Sequence, residues 1–496
     1  MTPRSILTAL AVALTVTLAA PPTTTAQSAY DDLPEIGSPA DVILTRSKAE
    51  RIGRSVLMQM RQQEQVVEDP EVDEYINSIG HQLAGHAHDG AHSFKFFVVD
   101  DGNINAFALP GGYIGVNSGL ILRTKREAEL AGVMAHEVAH VTQNHIARRV
   151  AGTQKSSMLA TAAILAAILM GATGNAEGDV IQATAMGAQA LATQQAINYT
   201  RANEYEADRV GINILSSAGS DPTGMPEFFE TMGKVSGSYA NRAPEVLLSQ
   251  PVSSPRMAET RGRAMKLPPG NPESSLDYKL IRERLRALTT PSALDAVEYY
   301  ENRKATLDDP GPEIDYGLAL AYMRYGEAGK AVPLLFELRA ENDSVIAYHS
   351  AYGQALVASG QPNEGLLAFD QALALFPRNV PLTIRYAESL MIADQYDKAH
   401  AILLDLFNMV APTPAQVKLI ASAAGAAGLM AEAHYYMCEY YLLNGNVVLA
   451  VEQLNHALSE PGLQSVQRAR FEARRNELVP YLPKNHPQAQ DKQARG

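Results

Sequence analysis

A single cysteine, Cys438, stands in 496 residues, so no disulfide within the chain holds it together and the fold must rest on its apolar core. Tryptophan is absent altogether. No lysine- or arginine-rich block occurs, and 41 basic residues face 54 acidic ones, a net charge of −13. That balance argues against a protein that tracks a nucleic-acid backbone, and no nucleic-acid partner is expected. Long apolar runs are also missing: the two longest, residues 6–20 and 158–170, fall short of the roughly 20 residues a membrane-spanning helix needs. What is present is 46% apolar residues with 35 Gly and 28 Pro, enough for two or more ordinary domains.

The first of those runs follows Arg4 and precedes PPTTTAQ, the order of a secretory signal peptide. Cleavage is expected near Ala26 and Gln27, although Thr24 makes an imperfect small-residue site. With no lipobox cysteine, the mature chain is expected in the periplasm, soluble or peripheral at a membrane. The run at 158–170 suits a buried core helix or an interfacial helix with peripheral membrane contact better than a span.

Organisation begins near residue 45. RSKAERIGRSVLMQMRQQEQ has helical spacing, and a second helix is expected from Pro70 through Leu83. Three short strands are expected at 94–101, 104–109 and 113–117, with Gly111 and Gly112 punctuating the last two. KREAELAGVMAHEVAHVTQNHIARRV then reads as one long helix, and NEYEADRVGINILSSAG as another.

Beyond Asp295 a period of 34 residues emerges. Gly326, Gly360, Asp394 and Gly428 mark it, as do small residues at Ala331, Gly365, Ala399 and Ala433 and large ones at Leu335, Phe369, Leu403 and Met437. The pattern resembles tetratricopeptide helix pairs, which stack into a curved solenoid that holds extended partners. A last stretch, offset by 17, adds a single helix. The expected divisions are 1–26 signal peptide, 27–44 flexible segment, 45–270 a first domain that carries the chemistry described next, 271–310 connecting helices or linker, 311–475 repeats and 476–496 polar tail.

The chemistry lies in HEVAH. His136 and His140 sit four apart on one helix face, about 6 Å along the axis, so both imidazoles can reach one zinc ion. Glu137 is suited to take a proton from water and deliver it to a leaving amine. The NEYEAD stretch sets Glu204 and Asp208 on one face of another helix. Glu204 would complete a three-ligand site for one Zn(2+) per chain, and Asp208 would hold the outer nitrogen of a ligating histidine. His145 falls about 140° around the helix from His140, which assigns it to the surface or behind the ligands. His81, His86, His88 and His92 read as a polar loop or an accessory metal site, and Tyr199 precedes the second helix near the motif.

HExxH followed by ExxxD, together with NAFALPGG at 105–112, resembles the zinc peptidases that include the prenyl-protein protease, HtpX and BepA. The signal peptide and repeats make the chain most similar to the BepA-like periplasmic branch, over residues 45–470. The resemblance implies an α+β fold: a mainly helical zincin-like peptidase domain with a small sheet, followed by an all-α tetratricopeptide-like solenoid. It also implies a zinc metalloendopeptidase acting on unfolded or misassembled envelope proteins in outer-membrane protein quality control, with repeats that engage clients or the assembly machinery. The alternative is a chaperone or assembly adaptor working through the repeats, with proteolysis secondary.

Three further expectations follow. Asn105, Ala106, Phe107, Ala108 and Leu109 would form an edge strand that pairs with substrate. Arg256, placed with the catalytic group, would stabilise a developing oxyanion or tie a loop to an acidic residue. The family's His-Pro latch is replaced by Gln250 and Pro251; an amide ligates far more weakly than imidazole, so latency should be weaker.

Overall fold

The computed structural model describes residues 44–87, 93–152, 201–238 and 253–483, all within one compact unit, Pro39–Gly496. The expected signal peptide, the 158–170 run, Tyr199, His88, His92, Gln250 and Pro251 lie outside the described residues. No helix among the described residues is long and apolar enough to cross a membrane.

The chain starts with α1 (Arg46–Gln62) and α2 (Pro70–Gly85). Helix α2 opens on Asp69, whose side chain accepts from the Val72 amide at 3.1 Å, with Pro70 in the first turn; both choices satisfy a helix start. Its buried residues Val72, Ile76, Ile79 and Leu83 recur at helical spacing and enter the main core. Strands β1 (Lys95–Val99), β2 (Ala106–Leu109) and β3 (Tyr113–Asn117) form a sheet in the order β1-β3-β2. β1 runs parallel to β3 and β2 antiparallel to it, which leaves β2 at an edge. Gly111 has φ +82°, and a Cβ there would lie 2.4 Å from Glu50 Cα, so the turn admits only glycine.

Helices α3 (Ser118–Arg123), α4 (Glu127–Thr142), α5 (His145–Gly152), α6 (Arg201–Ser217), α7 (Gly224–Ser238) and α8 (Ser254–Ala264) follow. Helix α4 is buried from Ala128 to Val141, packed by α2, α6, α7 and β2. The expected single helix through Val150 is broken: Asn144 adopts φ +51°, a left-handed conformation that asparagine tolerates better than most residues, and α5 starts afresh at His145.

Helix α9 (Leu276–Thr289) belongs to three cores, its Ala287 packing with Val297, Tyr300 and Leu318. Tyr278, Ile281 and Leu285 join the peptidase core, and Leu280 joins the first repeat core. From there α10 (Ala293–Thr306), α11 (Pro312–Tyr325), α12 (Ala328–Glu341), α13 (Ile346–Ala358), α14 (Pro362–Leu375), α15 (Val380–Ile392), α16 (Tyr396–Phe407), α17 (Pro414–Ala426), α18 (Met430–Leu443), α19 (Val447–Ser459) and α20 (Ser465–Leu478) follow, each packed against the next. The 34-residue mark has one physical meaning: Gly326, Gly360, Asp394 and Gly428 all adopt positive φ at the turn inside each helix pair. Leu335, Phe369 and Leu403 are fully buried; at the fourth mark Cys438 takes the buried place beside half-buried Met437. Burial pushes the Cys438 thiol up to about 12, so it packs as an inert apolar group.

The solenoid folds back onto the peptidase helices. Arg284 of α9 binds Asp69 through Nε and Nη2 at 2.7 and 2.8 Å. Arg385 of α15 reaches Asp69 at 2.5 Å and Glu71 at 2.8 Å, and Ser350 of α13 donates to Glu71 at 3.0 Å. Gln62 of α1 bonds the Asn444 carbonyl at 3.0 Å. The start of α2 is therefore clamped between the first core and the repeats by a buried ion cluster.

Candidate metal centre

Helix α4 supplies His136, Glu137 and His140, all buried. Glu127 and Glu129 sit in its first turn, where negative charge favours a helix start, and Glu129 accepts from the Lys125 amide at 2.7 Å. Glu127 also accepts from Tyr75 of α2 and Ser275 at 2.9 Å each, which pins α4 to α2 and to the segment entering α9. Helix α6 crosses α4 closely because of Gly211, where a Cβ would lie 3.0 Å from His136 Cα. That crossing delivers Glu204 and Asp208 to the histidines.

Ligand atoms of His136, His140 and Glu204 all fall within 4.8 Å of one another. The two Nε2 atoms are 2.9 Å apart, and Glu204 oxygens lie 3.7 Å from His136 Nε2 and 3.6 Å from His140 Nε2. Glu204 Oε1 is buried with no hydrogen-bond donor among the described residues, a costly state for a carboxylate oxygen that a cation would relieve. Two imidazoles and one carboxylate are the donor set of an open, hydrolytic zinc site, so the residues fit the ion.

Around this core, His136 Nδ1 lies 3.0 Å from Asp208 Oδ1. Arg256, from the first turn of α8, holds Asp208 with Nε and Nη2 at 2.8 Å each and approaches Glu204 Oε2 at 3.0 Å through Nη1. Of the two roles weighed for Arg256, the geometry displays the tie to acidic residues, made by a helix rather than a loop. Burial opposes ionisation of Asp208, but the Arg256 and His136 hydrogen bonds overrule it and hold the carboxyl below its usual range. For His136 burial is likewise outweighed by Asp208, and its pKa is raised. Burial, reinforced by the neighbouring histidines, pushes His140 well down and keeps it in the neutral form that ligates. Glu204 is pushed up by burial, against the pull of His136 and Arg256.

The strand residues Ala106, Ala108 and Leu109 are buried and Phe107 half-buried; β2 lies on α4, with Asn105 buried just before it. A pocket of about 180 Å³ opens where β2 ends, lined by Leu109, Pro110, His140, Val141, Ile146 and others. His81 and His86 are exposed and bond the Asn77 and Gln82 carbonyls of their own helix.

Of the two places expected for His145, the surface or behind the ligands, the structure shows the second. Because α4 ends at Thr142, the 100° rule does not carry across the break, and His145 is fully buried with Nδ1 2.8 Å from His140 Nδ1. Glu206, which the sequence reading missed, lies 3.2 Å from its Nε2. The turn-forming Asn144 was the signal available.

A buried HExxH helix crossed by a carboxylate-bearing helix defines a metallopeptidase. The model of Peptidase family M48 matches residues 70–264, and a Tetratricopeptide repeat model matches 356–423. A Vibrio cholerae protein assigned as a beta-barrel assembly-enhancing protease is 35% identical over 463 residues, 92% of this chain and 93% of its own. The beta-barrel assembly-enhancing protease of Escherichia coli K12 is 31% identical over 457 residues, 90% of this chain and 91% of its own. Mitochondrial metalloendopeptidase OMA1 of Arabidopsis thaliana shares 30% identity over 180 residues, 36% of this chain and 34% of its own. The chain belongs to the beta-barrel assembly-enhancing protease family, metalloendopeptidases of family M48 that carry tetratricopeptide repeats. Family M48 metallopeptidases are zinc-dependent.

Proposed function

We propose that the chain is a periplasmic endopeptidase that cleaves unfolded or misassembled envelope proteins during outer-membrane β-barrel assembly, with one zinc ion held by His136, His140 and Glu204. The convergence of those three ligands within 4.8 Å carries the reading, and the Arg4-led apolar run at the start of the sequence supports export. Bound there, zinc supplies Lewis acidity toward the scissile carbonyl and water. Glu137 takes the proton from the attacking water and passes it to the leaving amine. Asp208 holds His136 in one tautomer and Arg256 holds Asp208. The edge of β2 left unpaired among the described residues pairs with an extended substrate backbone, and the pocket at its Leu109 end receives a neighbouring side chain. With Gln250 at the family's latch position, weaker latency is expected, so Gln250→His should lower activity while zinc stays bound.

The test is cleavage of an unfolded outer-membrane β-barrel protein by the purified chain, with zinc quantified and Glu137→Gln in parallel. Zinc-dependent cleavage lost in the variant supports the reading; bound zinc with no cleavage by either chain counts against it. The second reading, a client-binding adaptor engaging misassembled proteins or the outer-membrane assembly machinery, is favoured by exposed Phe336, Leu367, Leu375, Ile392 and Met409 on the repeats. It expects Glu137→Gln to keep client binding and assembly support.

A further inference from the structure

Each histidine of the centre points one ring nitrogen at the other ligands and the second away from them. For His140 the inward atom is Nε2, 2.9 Å from His136 Nε2 and 3.6 Å from Glu204. Its outward atom, Nδ1, meets His145 Nδ1 at 2.8 Å. His145 in turn presents Nε2 to Glu206 Oε2 at 3.2 Å, and Arg148 closes the series on the same carboxylate oxygen at 3.0 Å.

Proton placement along this series is determined by elimination. A histidine that ligates through Nε2 as a neutral ring carries its proton on Nδ1, so His140 Nδ1–H donates to His145. A neutral His145 that accepts at Nδ1 carries its proton on Nε2, and that N–H donates to Glu206. Every link then has one donor and one acceptor, and the series ends on an anion held by a cation. From these contacts we infer that His145 and Glu206 are positioning residues for the metal: they fix the tautomer and ring orientation of His140 through an imidazole interposed between ligand and carboxylate. The inference rests on the proposed reading that His136, His140 and Glu204 hold zinc.

The local chain explains why this series exists. The left-handed residue Asn144 ends α4 and returns His145 beneath His140 instead of continuing the helix. Helix α6 provides both the ligand Glu204 and the terminal carboxylate Glu206; two residues apart, they leave the helix about 200° apart. His145, coming around from α5, joins Glu206 to the ligand set. The arrangement is distinct from the Asp208 contact at His136, which has no intermediate ring.

The test measures zinc affinity of the full chain by competition with a chromophoric chelator, alongside the melting temperature of the metal-free protein. His145→Phe, which keeps a ring but accepts nothing, is expected to weaken zinc binding about 10- to 100-fold, the usual loss when a ligand's outer partner is removed. His145→Asn offers an amide oxygen to the same N–H and should restore most of that loss. Glu206→Ala should weaken binding by less than His145→Phe, and the absorption bands of the cobalt-loaded protein should shift in both. Unchanged zinc affinity in His145→Phe overturns the inference. So does equal weakening in the Phe and Asn variants matched by an equal drop in metal-free melting temperature, since packing alone would then account for it. If His145→Phe fails to fold, Glu206→Ala decides: unchanged affinity and unshifted cobalt bands overturn the inference, and weakened affinity upholds it. A wild-type chain that holds no zinc, or a His136→Ala chain that holds it undiminished, would instead refute the underlying site.

Discussion

The two histidines of the centre are supported in different ways. Behind His136 stands a carboxylate in direct contact, Asp208, clamped by Arg256, with both side chains no more than 4% exposed. Behind His140 stands a second imidazole, and the charges come only afterwards, on Glu206 at 33% exposure and Arg148 at 46%. The buried arrangement gives strong, directional hydrogen bonds in a low-dielectric setting, at the risk that losing one partner strands a charge. The exposed one is screened by water and salt, so it orients its ligand without committing much stability. A third ion cluster, Asp69 and Glu71 with Arg284 and Arg385, is of the buried kind and joins the repeats to the peptidase helices.

The sharpest way to break this contrast is Asp208→Ala. Arg256 would be left buried without its main partner, and the metal-free chain should lose about 3–5 kcal/mol in denaturant unfolding. A loss comparable to that of an exposed pair would show that the buried clamp is not special. Next comes Arg385→Ala at the junction, where Arg284 remains to hold the acids; a loss of about 2 kcal/mol is expected, with proteolysis between α2 and the repeats enhanced.

Acid titration sharpens the contrast further. Burial would raise the Asp69 carboxyl, but Arg284 and Arg385 hold it below its usual range. Below its unfolded pKa of about 3.9 the unfolded chain takes up the proton first, so this contribution is present in full above that pH and is lost as pH falls through the lower folded value. The stability gap between wild type and Asp69→Asn should stay level from pH 8 to about pH 5 and shrink only in stronger acid. A gap that closes near neutrality would contradict the assignment. The smallest effect is expected from Arg148→Ala: its pair with Glu206 is largely exposed, and stability should change by no more than about 0.5 kcal/mol, vanishing in high salt.

Much of the fold could be read from spacing. The 34-residue period located the turns inside each helix pair, because a left-handed cap is a local demand that glycine or aspartate meets with its own backbone. HEVAH likewise placed His136 and His140 on one side of a helix from the 3.6-residue repeat alone. For His145 that arithmetic left two places, the surface or behind the ligands, and the choice between them escaped it, since the rule holds only while the helix does and Asn144 interrupts it. Glu206 escaped too, as it faces away from Glu204 on the helix wheel and means nothing until α5 is in place. Asp69 and Glu71 gave only a helix-start signal; nothing local announces that arginines more than 200 residues later close on them.

The amino-acid sequence by itself determined the local elements: the helix that carries two histidines and a glutamate, the glycine turn that joins β2 to β3, and the periodic helix pairs. Those follow from backbone geometry and side-chain periodicity over a few residues. The two motifs already paired Glu204 with the histidines, and the Gly211 crossing makes that meeting; only the tertiary structure decided the other distant pairs, Arg256 with Asp208, His145 with Glu206, and the repeats with the start of α2. Such pairings depend on how helices pack and on burial that makes an unpaired charge costly, and neither is encoded at any single position.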